Sequence, residues 1–248
     1  MHEDKPLTRL YFPGKIVPGS QCRLPAGQAH HVQRVLRLKP GAALILFNGE
    51  GDEYDAAIVD GAKAGVTVGL GERREVDRES RLRVVLAQAV SAGDRMDYTV
   101  QKAVELGVVA IQPVVSSRSV VRLDSERGAR RVAHWQAVAV AACEQCGRNR
   151  VPAVQSVKSF AAWLAEAGPD ARRGLMLSPR GARRLRDLPP PQSHVTLLAG
   201  PEGGLTPEEQ QAAEHAGFNP IKLGPRVLRT ETAAVAALAA MQALWGDF

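Results

Sequence analysis

The sequence predicts two parts: a small β-barrel or sheet domain, then an α/β domain with a mostly parallel sheet. Three observations predict it. Residues 1 to about 75 hold short β-like runs punctuated by Gly and Pro. Glu72–Arg81 (ERREVDRESR) is almost entirely charged and reads as an exposed linker. From Leu82 onward apolar runs alternate with helix-forming segments, the pattern that places helices on the faces of a parallel sheet. The domain boundary is therefore set at 1–75 and 76–248.

In the first part the strand candidates are Arg9–Phe12, Gln21–Leu24, Ala43–Phe47, Tyr54–Val59 and Gly65–Gly69, with one helix over Ala29–Leu36. In the second part Leu82–Val90 (LRVVLAQAV) is largely apolar, as expected of a strand covered on both faces. Asp94–Leu106 is a helix stopped by Gly107, and Val108–Val115 is the next strand. Glu126–Cys146 is a long helix with Trp135, Val138 and Ala142 on one face and Gly147 at its end. Ser159–Ala167 is helical, and Gly174–Ser178, Val195–Ala199 and Pro220–Leu223 are strands. The helix Thr206–Ala216 is signalled by Thr206 as cap, Pro207 in the first turn and Glu209 completing a capping box. Glu231–Trp245 is a final helix, apolar around most of its circumference and so expected to be buried in the core or against a second subunit.

With 248 residues, 45% hydrophobic and 23% charged, the chain reads as soluble and globular. No apolar stretch approaches a membrane span; Ala233–Trp245 is too short. The start, MHEDKPLTRLYF, lacks the apolar core of a secretory signal, and three cysteines make no disulfide framework. A cytoplasmic location without a membrane partner is the expectation. Residues 1–80 carry equal numbers of basic and acidic side chains, so the net charge of +6 falls on residues 81–248. The first part is nonetheless polarised: Lys5 to Asn48 holds basic residues and no acid, and Glu50, Asp52, Glu53, Asp55 and Asp60 follow. A basic face beside an acidic one suits a polyanion such as nucleic acid, and equally a solvated surface.

Two segments carry chemistry. The strand VTLLA (195–199) runs into GPEGG (Gly200–Gly204) and then a helix. Ligands of open α/β sheets sit at the carboxyl ends of strands, and glycines there let a ligand approach the backbone. The Lys-Ser/Thr ending of a phosphate loop is absent, as is GxGxxG, and Glu202 would repel a phosphate. An acid beside bare amides fits ribose hydroxyls, a base edge or a sulfonium cation; an ordinary tight turn is the plainer alternative. LGPRVLRTETA (Leu223–Ala233) also follows a strand and precedes a helix. Arg229 stands just before that helix, where a cation costs about 0.3–1 kcal/mol, so a substrate anion is a plausible reason for it. Thr230 or Thr232 could cap the helix, and Glu231 offsets the dipole cost.

GPEGGLTPEE, LGPRVLRTETA, QKAVELGV leading to IQPVVSSRS, and EQCGRNRVP together resemble the bacterial 16S ribosomal RNA uridine-N3 methyltransferases of the SPOUT superfamily. HHVQRVLRLKPG followed by LFNGEG resembles the PUA-like domain of the same family. The resemblance runs in order through nearly the whole chain. It implies a trefoil-knotted α/β methyltransferase domain, a homodimer, S-adenosylmethionine as methyl donor, and a uridine of 16S ribosomal RNA, within the small ribosomal subunit, as acceptor. It implies a cofactor site of three loops. These are Leu177, Ser178 and Pro179; Gly200, Pro201, Glu202, Gly203 and Gly204; and Leu223, Gly224, Val227, Leu228, Arg229, Thr230 and Thr232. A ribose 2′-O-methyltransferase of the same superfamily is the enzyme alternative. An RNA-binding module with a vestigial pocket is the non-enzyme one.

Methylation at uracil N3 requires loss of a weakly acidic proton, or stabilisation of the developing anion. Arg229 is the candidate for that stabilisation, and Glu202 the weaker catalytic candidate. N3 is buried in base pairs, so an unpaired or extruded base is the expected target, with phosphates gripping the surrounding RNA. Expected RNA contacts are Arg9, His31, Arg34, Arg37 and Lys39 in the first domain, and Arg118, Arg122, Gln145, Arg148 and Arg150 in the second. Cys143-x-x-Cys146 has redox or zinc spacing, but it lies in a helix with no second pair, and His30-His31 has no third ligand; no metal is expected.

Overall fold

A computed structural model of the chain describes residues 7–61, 65–119, 125–167 and 174–248. They divide into two units, Met1–Glu79 with Cys143–Val151, and Ser80–Ala142 with Pro152–Phe248. A single cut near residue 75 therefore misses one segment. The end of the long helix and the turn after it belong to the first unit.

That unit is built on β1 (Thr8–Tyr11), β2 (Gln21–Arg23), β3 (Ala43–Phe47), β4 (Glu53–Asp60) and β5 (Thr67–Arg74), in the sheet order β1-β3-β4-β5-β2. β1 runs parallel to β3, and the other pairs are antiparallel. Alternation along β4 and β5 sends Tyr54, Ala56, Ile58, Val68 and Leu70 inward against Leu10, Leu44 and Leu46. Helix α1 (Ala26–His30) continues into a π turn, His31–Val35, whose Val32 closes the core. It begins three residues earlier than the sequence suggests, directly after Pro25.

The charged stretch from Glu72 is not a free linker. Its first residues finish β5, where Arg73 pairs with Asp52 (2.8 Å) and Arg74 with Asp55 (2.8 Å). Such cross-strand charge pairs let a polar sequence remain strand. Further on, Arg78 donates to Glu53 and to the Gly147 carbonyl, both at 3.0 Å, and Glu79 pairs with Arg148.

The second unit carries a parallel sheet: β6 (Val84–Ala89), β7 (Ala110–Val115), β8 (Ala153–Val154), β9 (Lys158–Ser159), β10 (Leu175–Leu177), β11 (Arg183–Arg184), β12 (Val195–Ala199) and β13 (Asn219–Lys222). The order is β11-β13-β10-β12-β6-β7-β8, with β9 also on β7. β8, β9 and β11 are two residues long, too short to show a period, and the sequence does not signal them. Leu86, Ala87, Leu197 and Leu198 are buried on the central strands, as sheets covered on both faces require.

The helices are α2 (Asp94–Glu105), α3 (Ser125–Cys146), α4 (Phe160–Glu166), α5 (Pro207–Ala216) and α6 (Thr230–Trp245). α2 and α6 pack together, and Gln242 of α6 donates to the Leu106 carbonyl at 2.7 Å while accepting from Ser80 Oγ. α6 buries one face, including Ala234, Ala237, Leu238 and Met241, and leaves Leu244 exposed. Near α4 and α5, Phe160, Trp163 and Phe218 form a chain of tilted and edge-on rings. α5 carries the expected capping box, Thr206 with Glu209. Strands β12, β10 and β13 are neighbours and point the same way, so the loops leaving Ala199, Leu177 and Lys222 emerge along one edge.

Candidate active site

Those three loops enclose a cavity of about 270 Å³. Leu177, Ser178 and Pro179 line it from β10, Gly200 to Leu205 from β12, and Leu223, Gly224, Arg226, Val227, Leu228 and Thr230 from β13. Of the residues expected at the cofactor, Arg229 and Thr232 alone fall outside this lining. Both are exposed.

The glycine turn is close-packed. A Cβ on Gly200 would meet the Leu205 nitrogen at 3.2 Å, and the Gly204 amide donates to the Pro201 carbonyl at 2.8 Å. Gly204 has a φ of +69°, the left-handed region that glycine enters without strain. The sequence requirement for GPEGG is thus partly steric.

Neither Thr230 nor Thr232 caps α6. Its N-cap is Arg229, with no side-chain cap bond. Thr230 Oγ1 donates instead to the Gly200 carbonyl (2.6 Å) and accepts from Gln88 Nε2 (3.1 Å). It ties two cavity loops to the centre of the sheet. Gln88 is fully buried, and its Nε2 also donates to the Ala89 carbonyl. A glutamine inside LRVVLAQAV was the available signal for this tie, because a buried amide needs partners.

Glu202, the weaker catalytic candidate, is held by two donors. Its Oε1 accepts from the Ala92 amide (3.0 Å) and from Arg95 Nη1 (2.8 Å). Burial acts to raise its pKa, but these donors, its own amide and the charge of Arg95 outweigh that and hold the carboxyl below its ordinary range. A carboxylate kept ionised by an amide and a guanidinium is a poor proton acceptor; Glu202 braces the turn. Arg118, expected at RNA, donates from Nη1 to the Gly203 carbonyl at 2.9 Å and lies against the same turn. The loop carrying it is held by Glu209, which accepts from the amide and hydroxyl of Ser117 (2.7 and 3.0 Å). Sequence reasoning credited Glu209 with the capping box alone and did not find Arg95.

The remaining expected RNA contacts divide. Arg9 and Arg148 differ from the expectation of free surface cations. Arg9 Nη1 pairs with the buried Glu53 (2.5 Å) and its Nη2 donates to Asn149 Oδ1 (2.6 Å). Arg148 is 4% exposed and pairs with Glu79. Both cations are largely buried and already engaged by carboxylates, which leaves them poorly placed to meet phosphates. His31, Arg34, Arg37 and Lys39 are exposed on or just after the π turn. Arg37 is the single non-glycine residue of positive φ (53°) among those described. Gln145 and Arg150 are exposed, and Arg122 lies outside the described residues. Cys143 is buried, which pushes its thiol up to about 12, so it packs as an apolar group rather than reacting. Among the described residues no group of three or more metal-ligating side chains converges, and no helix is long and apolar enough to cross a membrane.

The family described as RNA methyltransferase domain matches residues 78–242, and the RNA methyltransferase PUA domain matches residues 24–70. The chain belongs to the RNA methyltransferase family. The Buchnera aphidicola ribosomal RNA small subunit methyltransferase E is 30% identical to it over 99% of this chain and 97% of that protein. A Legionella pneumophila putative methyltransferase, solved with bound S-adenosylmethionine, superposes with a TM-score of 0.94 at 40% identity, covering 98% of this chain and all of that one. The Neisseria gonorrhoeae ribosomal RNA small subunit methyltransferase E, bound to S-adenosylmethionine, gives 0.90 at 42% identity over 98% of this chain and 99% of that one. These relatives share both the mostly parallel α/β fold and the PUA-like unit.

Proposed function

We propose that the chain is an S-adenosylmethionine-dependent methyltransferase acting on N3 of a uridine in 16S ribosomal RNA, within the small subunit. In this reading it is a cytoplasmic homodimer with a trefoil-knotted methyltransferase domain, residues 76–248, and an RNA-gripping PUA-like domain, residues 1–75. The supporting observation is the convergence of GPEGG and LGPRVLRT on one cavity at the carboxyl edge of the sheet. The cavity fits the donor: glycine amides are reachable, Leu177, Leu223 and Leu228 offer apolar walls, and no phosphate-loop lysine is present. S-adenosylmethionine would supply an electrophilic methyl group there.

The protein's part is positioning, since transfer needs N3 in line with the methyl carbon. Thr230 and Glu202 hold the two loops on either side of the cavity. We assign to Arg229, exposed at the start of α6, the stabilisation of negative charge on uracil O2 or O4. Titration with S-adenosylmethionine, followed by labelled methyl transfer to small subunits, tests this function. Saturable one-to-one binding and transfer are expected. Arg229→Ala should bind the donor normally and lose about 10²–10³ in rate. Full activity in Arg229→Ala contradicts its role, and absent donor binding contradicts the function. Reverse transcription separates the two acceptors: an N3 methyl stops the polymerase, and read-through at the modified site would favour the ribose 2′-O alternative.

A further inference from the structure

Removing Arg9 and Arg148 from the surface leaves the question of what grips RNA beside the cavity. The short edge strand β11 supplies an answer. Pro179 lines the cavity, and the chain then runs through Arg180, through Arg183 and Arg184 of β11, and through Arg186 in the turn that follows, all exposed. β11 lies parallel to β13 in the register Arg183↔Ile221 and Arg184↔Lys222, and Ile221 and Lys222 both line the cavity. Arg226, exposed, lines it as well. Lys222 and Arg226 line the cavity, and four more cations follow Pro179 before, on and just after the adjoining edge strand.

Their charge is poorly compensated. Among the described residues, Asp187 is the single acid paired with any of them, touching Arg186 at 3.8 Å in an exposed, weak pair. Like charges gathered along a two-residue strand repel one another, and a bound polyanion relieves that repulsion. No aromatic residue lies between Pro179 and Pro190, so the strip offers no aromatic platform for bases. Its chemistry is that of a phosphate backbone reader.

We infer that Arg180, Arg183, Arg184 and Arg186, with Lys222 and Arg226, form a phosphate-gripping strip that holds the RNA backbone at the mouth of the cavity. The inference rests on the RNA methyltransferase reading above and adds a second grip, independent of the PUA-like unit. It works by charge and is blind to sequence.

The test uses the full chain and purified small subunits. Wild type first establishes methyl transfer; its failure there would count against the enzymatic reading, not against the strip. Arg180→Ala/Arg183→Ala/Arg186→Ala should then raise KM for the subunit at least about tenfold at low salt. The slope of log affinity against log salt should become shallower by about two to three, from 0.7–0.9 per lost phosphate contact. The dissociation constant for S-adenosylmethionine should not move, which also reports an intact cavity. Should the triple variant fail to fold, Arg183→Gln/Arg184→Gln reads the same effect, with a slope change of about one to two. Unchanged KM and slope in a folded variant overturn the strip. So does selective loss of binding to anionic phospholipid vesicles with subunit binding intact, which would assign the strip to a lipid surface.

Discussion

Thr230 shows how one hydroxyl joins a site. Its bonds to the Gly200 carbonyl and Gln88 Nε2 tie the glycine turn and the start of α6 to the central strand. Thr230→Ala removes both and leaves buried partners under-satisfied, at a cost of about 1–3 kcal/mol in unfolding free energy. Donor affinity should fall with it, and Thr230→Ser, which keeps the hydroxyl, should restore most of both. Chemical denaturation alongside donor titration checks this; equal stability and affinity in Thr230→Ala would show the tie to be incidental. At this scale the sequence was half legible. The residues around the cavity were identifiable because they are contiguous in two motifs. The roles of Arg9 and Arg148 were not, because nothing in a local sequence reveals a buried acid far along the chain. Arg9 meets its partner 44 residues away, and Arg148 meets Glu79 across 69.

At the scale of elements, long periodic runs were readable and short ones were not. β3 and β12 match their expected bounds, while β8, β9 and β11 escaped because two residues carry no alternation. The end of α3 was readable as helix but not as part of the first unit. There Glu144 accepts from the Tyr11 amide at 2.9 Å. Burial pushes its carboxyl above the ordinary range, against the lowering effects of that amide, His31 and Arg9. A carboxyl raised in the folded state binds its proton more tightly there, so its contribution to stability is greatest in acid and declines as pH rises through the folded pKa. Glu144→Gln keeps an acceptor oxygen and removes the charge. Its thermal midpoint at pH 7 should equal or exceed wild type, and the difference should vanish as pH falls below the ordinary carboxylate range. A midpoint several degrees lower at pH 7 would mean that the charge itself is required.

At the scale of the molecule, the net +6 is less important than its distribution. Near β4, Asp52, Glu53 and Asp55 are paired with Arg73, with Arg9 and Arg78, and with Arg74, which neutralises most of the acidic run. Exposed cations remain on the π turn of one unit and on β11 beside the cavity of the other. Aromatic residues are only 4% of the chain, which favours backbone grip over base stacking as the source of RNA affinity. We propose that this cavity directs a methyl group to uracil N3. The most direct test is nucleoside mass spectrometry of 16S ribosomal RNA after incubating small subunits with the chain and isotopically labelled S-adenosylmethionine. Label is expected in 3-methyluridine, at one site, dependent on Arg229. Label in a 2′-O-methyl nucleoside, or in no nucleoside at all, would contradict the proposal.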